Sequence, residues 1–226
     1  GASAKDDHTA LVRCSYTVLS LREVLENKGT DEEGHRLGEI DAIRSLQELI
    51  TTPIERTVRE TSERLVREFS IPSNTTFAQG EASKARLASA VTALYLLSPT
   101  VGIKPEKWTP RLVLQALETY IRSSLQTSIT TLARSLGQLP SLDKALAEVT
   151  AKCQNIMALE ITLGGMKPPS HPLIAPSPHS HTNTLLQPLL AHLETGSLAS
   201  YFWRTMAGSL ASRVQDIVTR GGVVAR

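Results

Sequence analysis

Aromatic side chains are scarce in this chain of 226 residues, with three Phe, two Trp and four Tyr. A core with so few rings must be filled by Leu, Ile, Val and Ala. Cysteine is scarcer: Cys14 and Cys153 cannot make a disulfide framework, which fits a reducing compartment. Neither sign of charge is in excess, at 24 basic against 22 acidic residues, so there is no electrostatic case for nucleic acid or an acidic lipid surface as a partner. No run approaches ~18 apolar residues, and no transmembrane segment is expected. A leader with a basic start, an apolar middle and a small-residue end is missing too, and a cytosolic setting is expected.

The motifs of several common chemistries are also absent. There is no G-x-x-x-x-G-K-[ST], no G-x-G-x-x-G, no H-E-x-x-H and no G-x-S-x-G. Cys153 lies on an apolar seam, the place of a core cysteine rather than of a nucleophile. The expectation is that the chain is not an enzyme and carries no catalytic residue, no cofactor and no metal.

What the sequence does have is apolar periodicity. Hydrophobic residues make up 41% of the chain, enough for a sizeable core, and they recur three and four apart, the spacing that lines one face of a helix. Leu11, Cys14, Val18, Leu21 and Leu25 form the first seam, and Leu37, Ile40, Ile43, Leu46 and Ile50 the next. Thr52-Pro53-Ile54-Glu55 reads as a cap, a first-turn proline and a capping-box glutamate, so a kink or a fresh start is expected there. Beyond it run Ile54, Val58, Thr61, Leu65 and Phe69, flanked by Glu-to-Arg pairs that mark a solvated face.

Residues 81–97 form a further helix, with Leu87, Val91 and Leu94 a turn apart. The longest seam opens at Thr109-Pro110 and carries Leu114, Leu117, Ile121, Leu125, Ile129, Leu132 and Leu136. Ser141 starts a helix with Leu142, Leu146, Val149, Cys153, Ile156 and Leu163. Leu185, Leu186, Leu189 and Leu190 precede the final seam of Leu198, Phe202, Met206, Leu210, Val214 and Ile217. No strand pattern or hairpin turn is present. The expected fold is all-α, an elongated helical bundle or a stack of antiparallel helix pairs, with residues 4–220 one such region and the chain an internal fragment of a longer one.

Two features stand apart. Met166 to Thr182 holds five prolines and three histidines, so a flexible Pro/His-rich linker is expected over residues 164–183. Tyr201, Phe202 and Trp203 are consecutive, and on a helix three such rings cannot share one face. Phe202 and Trp203 line up with Met206 and Leu210 and are expected inside. Tyr201 is expected outside, as the one candidate residue for a partner interface.

The order of helices and particular residues within them resemble subunit five of the conserved oligomeric Golgi complex, in the family of helical-rod tethering complexes. The likeness runs through Leu37-Gly38-Glu39-Ile40 and Ile43, Arg56, Val58, Arg64 and Leu65, Leu94-Tyr95 and Leu97, then Tyr120 and Leu125. It is sharpest at Cys153-Gln154, Leu159, Leu163, Pro169-Ser170-His171, Tyr201-Phe202-Trp203, Met206 and Leu210-Ala211-Ser212. After His171 the proline-rich stretch departs from the pattern. The resemblance implies a non-catalytic scaffold, in the cytosol and peripherally associated with the Golgi membrane. It further implies assembly with sister subunits, especially subunit seven, for retrograde intra-Golgi transport, and contacts with SNAREs, Rab GTPases and coiled-coil tethers. Two other readings stand beside it: an unrelated helical adaptor that binds peptides or partner helices, and the helical domain of an enzyme whose active site lies elsewhere in an intact chain.

Overall fold

Wherever apolar residues recur three and four apart, the chain is helical. The computed structural model describes residues 3–25, 37–71, 76–98, 109–135, 139–169 and 184–224. Among them are seven α-helices and no strand: α1 (Ser3–Glu23), α2 (Asp41–Arg67), α3 (Phe77–Leu97), α4 (Arg111–Ser135), α5 (Leu139–Gly165), α6 (Leu186–His192) and α7 (Leu198–Val224). A 3-10 turn at Leu37–Glu39 leads into α2. At a rise of ~1.5 Å per residue the longer helices reach ~40 Å, so the bundle is long for its mass. The all-α expectation is what the structure has.

The first three helices pack on one another, α1 lying against both α2 and α3. Helix α3 passes to α4 and α5, which pair, and α7 lies along both of them with the short α6 beside it. One apolar core joins the helices, from Leu19 through Leu94, Leu117, Ile121 and Leu159 to Phe202 and Met206. A smaller cluster of Val18, Val58, Ala93 and Leu97 seals the first three helices. Full burial of an aliphatic side chain contributes about 1.5 to 3 kcal/mol, so these seams account for the bundle's cohesion without aromatic bulk.

Several seams turn out to be rotated. In α1 the fully buried positions are Ser15, Val18 and Leu19, while Leu21 is exposed and Cys14 only half-buried. Ser15 turns its hydroxyl back to the Leu11 carbonyl at 2.9 Å, and as a small residue it lets α3 come close. Helix α2 passes through Pro53 without a fresh start. Its buried positions are Thr51, Val58, Ser62 and Val66, whereas Leu46, Leu49, Ile50 and Ile54 remain exposed, Leu49 to 74%. The first half of α2 therefore overhangs the core. In α5, Ala145 takes the buried place expected of Leu146. Leu136 lies outside the described residues.

The chain between α2 and α3 is held by two polar pins. The Tyr120 hydroxyl of α4 donates to the Phe69 carbonyl at 3.0 Å, and Ile71 N–H donates to Asn155 Oδ1 of α5 at 2.7 Å. Burial pushes the Tyr120 phenol up to about 12, which keeps it a neutral donor. The end of α2 is thereby tied to both helices beneath it.

A linker is expected over 164–183, but its first two residues are helical, because α5 continues through Gly165. Residues 166–169 are unwound, and Leu185 N–H donates to the Met166 carbonyl at 3.0 Å, bringing the two ends together. Residues 170–183 lie outside the described residues. Helix α6 then closes with Thr195 N–H on the Leu190 carbonyl and Glu194 N–H on that of Ala191. Glu194 stands at φ 50°, in the left-handed region that turns the chain toward α7.

Candidate functional site

The surface between α5 and α7 is built around the start of α7. A helix start leaves amide donors without partners, and here a carboxylate from a different helix supplies the acceptor. Glu160 Oε2 of α5 accepts from Leu198 N–H at 3.1 Å, Ala199 N–H at 3.3 Å and the Ser197 hydroxyl at 3.2 Å. From that anchor α7 runs back along α5, and by Trp203 it has reached the level of Cys153. Burial pushes the Cys153 thiol up from its ordinary value, and a hydrogen bond with Trp203 draws it partway back. That thiol is a core group.

The three consecutive aromatics are sorted differently from the expectation. Phe202 is completely buried, as its alignment with Leu198 and Met206 requires. Trp203 is not inside: it is 47% exposed, set edge-on to the Phe202 ring with centroids 5.8 Å apart. Tyr201 is not outside: it is half-buried and packed against the core. The reason is where the neighbours lie. Tyr201 faces α4, close enough to Arg122 for the two to interact, and Trp203 leans over the rim of α5. The ring turned to solvent is the indole.

Beside Trp203, α5 presents Leu146, Met157 and Ile161, all exposed, Ile161 to 69%. Between Thr150 and Gly165 the only charged residues are Lys152 and Glu160. Glu160 is taken up at the start of α7, and Lys152 faces a different cleft, so the outer flank of α5 is free of charge there. The reading of the sequence missed this stripe because Leu146 had been placed in the core. The signal available was the run Leu146, Thr150, Met157, Ile161, a second apolar line beside the one that is buried.

On the other flank of α7, Glu118 of α4 accepts from His192 Nε2 at 2.9 Å and from Arg122 at 2.7 Å, tying α6 to α4. His192 first and Arg122 second hold the Glu118 carboxyl below its ordinary value of 4.5. A carboxyl with a lowered folded-state pKa contributes stability above its unfolded pKa and loses it as the pH falls through the lowered value. In urea unfolding, Glu118→Gln is therefore expected to be less stable than the parent above the ordinary value of 4.5, with the gap closing as the pH falls through the lowered one. A gap that persists at the acid end would show that the carboxylate is not the stabilising group.

A cleft of about 290 Å³ lies where Phe69 and Ser70 meet α4 and α5, lined by Arg67, Glu68, Ser123, Lys152 and Asn155 among others. It mixes both signs of charge. Among the described residues, no three His, Cys, Asp or Glu side chains come together as a metal site, and no helix is long and apolar enough to cross a membrane.

With these surfaces in place, the likeness to known proteins is informative. The chain is similar in structure to one in the crystal structure of the Cog5-Cog7 complex from Kluyveromyces lactis, with a TM-score of 0.61 and 15% identity over 97% of this chain and 78% of that chain. At that identity the likeness is one of fold. No curated protein matches the sequence. A family model does: conserved oligomeric Golgi complex subunit 5, C-terminal, matches residues 37–226. The match takes in α2 through α7 and so sets aside an unrelated adaptor; the chain belongs to the family of subunit five of the conserved oligomeric Golgi complex.

Proposed function

We propose that this protein is a scaffold subunit of a Golgi vesicle-tethering complex, working by its surfaces rather than by catalysis. The observation that carries the reading is the family match over residues 37–226. In it the chain assembles with sister subunits, subunit seven among them, and attaches peripherally to the Golgi membrane from the cytosol for retrograde transport within the organelle. A long bundle with a continuous core suits the task, since a rod that must hold partners at fixed distances needs helices that do not slide. Depleting the protein from its own cells tests this. Recycling Golgi enzymes are expected to scatter into vesicles and to return when the full-length chain is restored. Unchanged residence of those enzymes would count against a tethering role.

We read residues 166–183 as a disposable connection within a helical region spanning 4–220. Supporting this, the hydrogen bond from Leu185 to Met166 already closes the ends, and loop length costs only about 0.6 kcal/mol per doubling. Replacing residues 170–183 with a Gly-Ser chain of equal length is expected to change the unfolding free energy by less than about 1 kcal/mol. A loss above about 2 kcal/mol, or stoichiometric zinc in the purified protein, would give the prolines or histidines a role.

A further inference from the structure

We infer that the cleft where the chain between α2 and α3 meets α4 and α5 binds a phosphate monoester, held by Lys152, Arg67 and the side-chain amide of Asn155. The inference goes beyond the scaffold reading and does not depend on it. At about 290 Å³ the cleft is at the small end of the range for ligand sites. Its walls are fixed in place. The Tyr120 hydroxyl holds the Phe69 carbonyl at 3.0 Å, and Asn155 Oδ1 accepts from Ile71 N–H at 2.7 Å.

The donors lining this cleft are unspent. With its oxygen on Ile71, Asn155 keeps an NH2 group that makes no hydrogen bond among the described residues. The hydroxyls of Thr119, Thr127 and Ser128 on α4 turn back to carbonyls one turn earlier, but that of Ser123, in the cleft lining, does not. Lys152 is half-buried and Arg67 exposed, and neither is in an ion pair among the described residues. An ammonium drawn partly out of water without a counter-charge is unfavourable, and an anion in the cleft offsets that cost. Two cations against one carboxylate, Glu68, leave a single positive charge in excess, a match for one phosphate group and too little for a di- or triphosphate. Both rings in the lining, Phe69 and Tyr120, are buried, so no ring face is offered for a base to stack on, which disfavours a nucleotide. The volume exceeds what one phosphate group occupies, and Glu68 can accept from a hydroxyl of the ester's organic part. The chemistry is that of glycerol 3-phosphate, free or as the headgroup of phosphatidic acid.

The test is calorimetric titration of the full-length chain with glycerol 3-phosphate in one arm and with phosphatidylcholine vesicles containing phosphatidic acid in the other. Saturable binding of one ligand per chain is expected. Binding of the soluble ester but not the vesicles assigns a free ligand, and binding of the vesicles assigns the headgroup. Lys152→Met keeps the packing of the stem and should weaken binding by about 10-fold or more, with the melting temperature of the ligand-free chain unchanged. Should that variant melt early, Arg67→Met takes its place, since its exposed side chain can be replaced without loss of packing. Glu68→Gln should tighten the binding of inorganic phosphate. No saturation in either arm up to about 10 mM would overturn the inference. Binding that both Lys152→Met and Arg67→Met leave unchanged would overturn it too. So would an equal weakening by Arg64→Met, which removes an exposed cation outside the cleft lining and would show only a diffuse effect of charge.

Discussion

Phe202→Ala is expected to lower the unfolding free energy by about 3 to 5 kcal/mol, while Trp203→Ala one position further on should cost less than about 2 kcal/mol. The two residues differ in what surrounds them. Phe202 has no exposed surface and packs in the core with Leu198 and Met206, so its removal forfeits the full transfer energy of a large ring and leaves a cavity that a bundle of rigid helices closes poorly. Trp203 is nearly half in water, and truncating it uncovers the rim of Cys153 without opening the centre. Denaturant unfolding of both variants decides the matter. Equal losses would mean that the indole is a core residue and that the face of α7 has been misassigned.

The second large effect is expected at Glu160. Its Oε2 satisfies two amides and one hydroxyl at the start of α7, and the start of a helix is where a negative charge is most favourable. Glu160→Ala leaves those partly buried donors without the acceptor and removes the tie that sets the lie of α7 on α5, for a loss of about 2 to 3 kcal/mol. Glu160→Gln keeps an oxygen in place and drops the charge, so it should lose about half as much. Hydrogen exchange at Leu198 and Ala199 gives the local readout: both amides should exchange faster in Glu160→Ala while those of α4 stay protected. Uniformly faster exchange would instead point to global loosening.

Helical class was legible in the spacing of apolar residues, and the single-turn spacings of Leu117, Ile121, Leu125, Ile129 and Leu132 on α4 were all found buried as read. Facing was harder. Periodicity identifies an apolar stripe but not the direction from which neighbours approach it, and in α1 the approach of α3 selects Ser15 and Leu19 over Leu21. Where two apolar stripes run side by side, as with Ala145 and Leu146 on α5, the helix packs on the smaller residue and leaves the larger outside. A solvent-facing Leu146 is costly for an isolated chain and useful for a scaffold. Trp203 is expected inside and found at the surface for a related reason: its wheel position adjoins Met206 and Leu210, and only the placement of α5 shows that the ring lies at the rim. The Glu160 cap joins residues 38 apart in sequence, and no local motif announces it.

The resemblance to the family rests on residues scattered across the helices rather than on any one motif, and the family match likewise runs across α2 to α7. Its chemistry is spread over packing positions such as Leu94, Leu159 and Phe202, each of which many folds can use. What distinguishes the chain is their order along a bundle of this length, which no short pattern captures.

The most direct test of the account is reconstitution of the full-length chain with its sister subunits, followed by light scattering on the separated species. The account predicts a stable assembly of defined stoichiometry that contains subunit seven. A parent protein that stays monomeric in the presence of every sister subunit would contradict it.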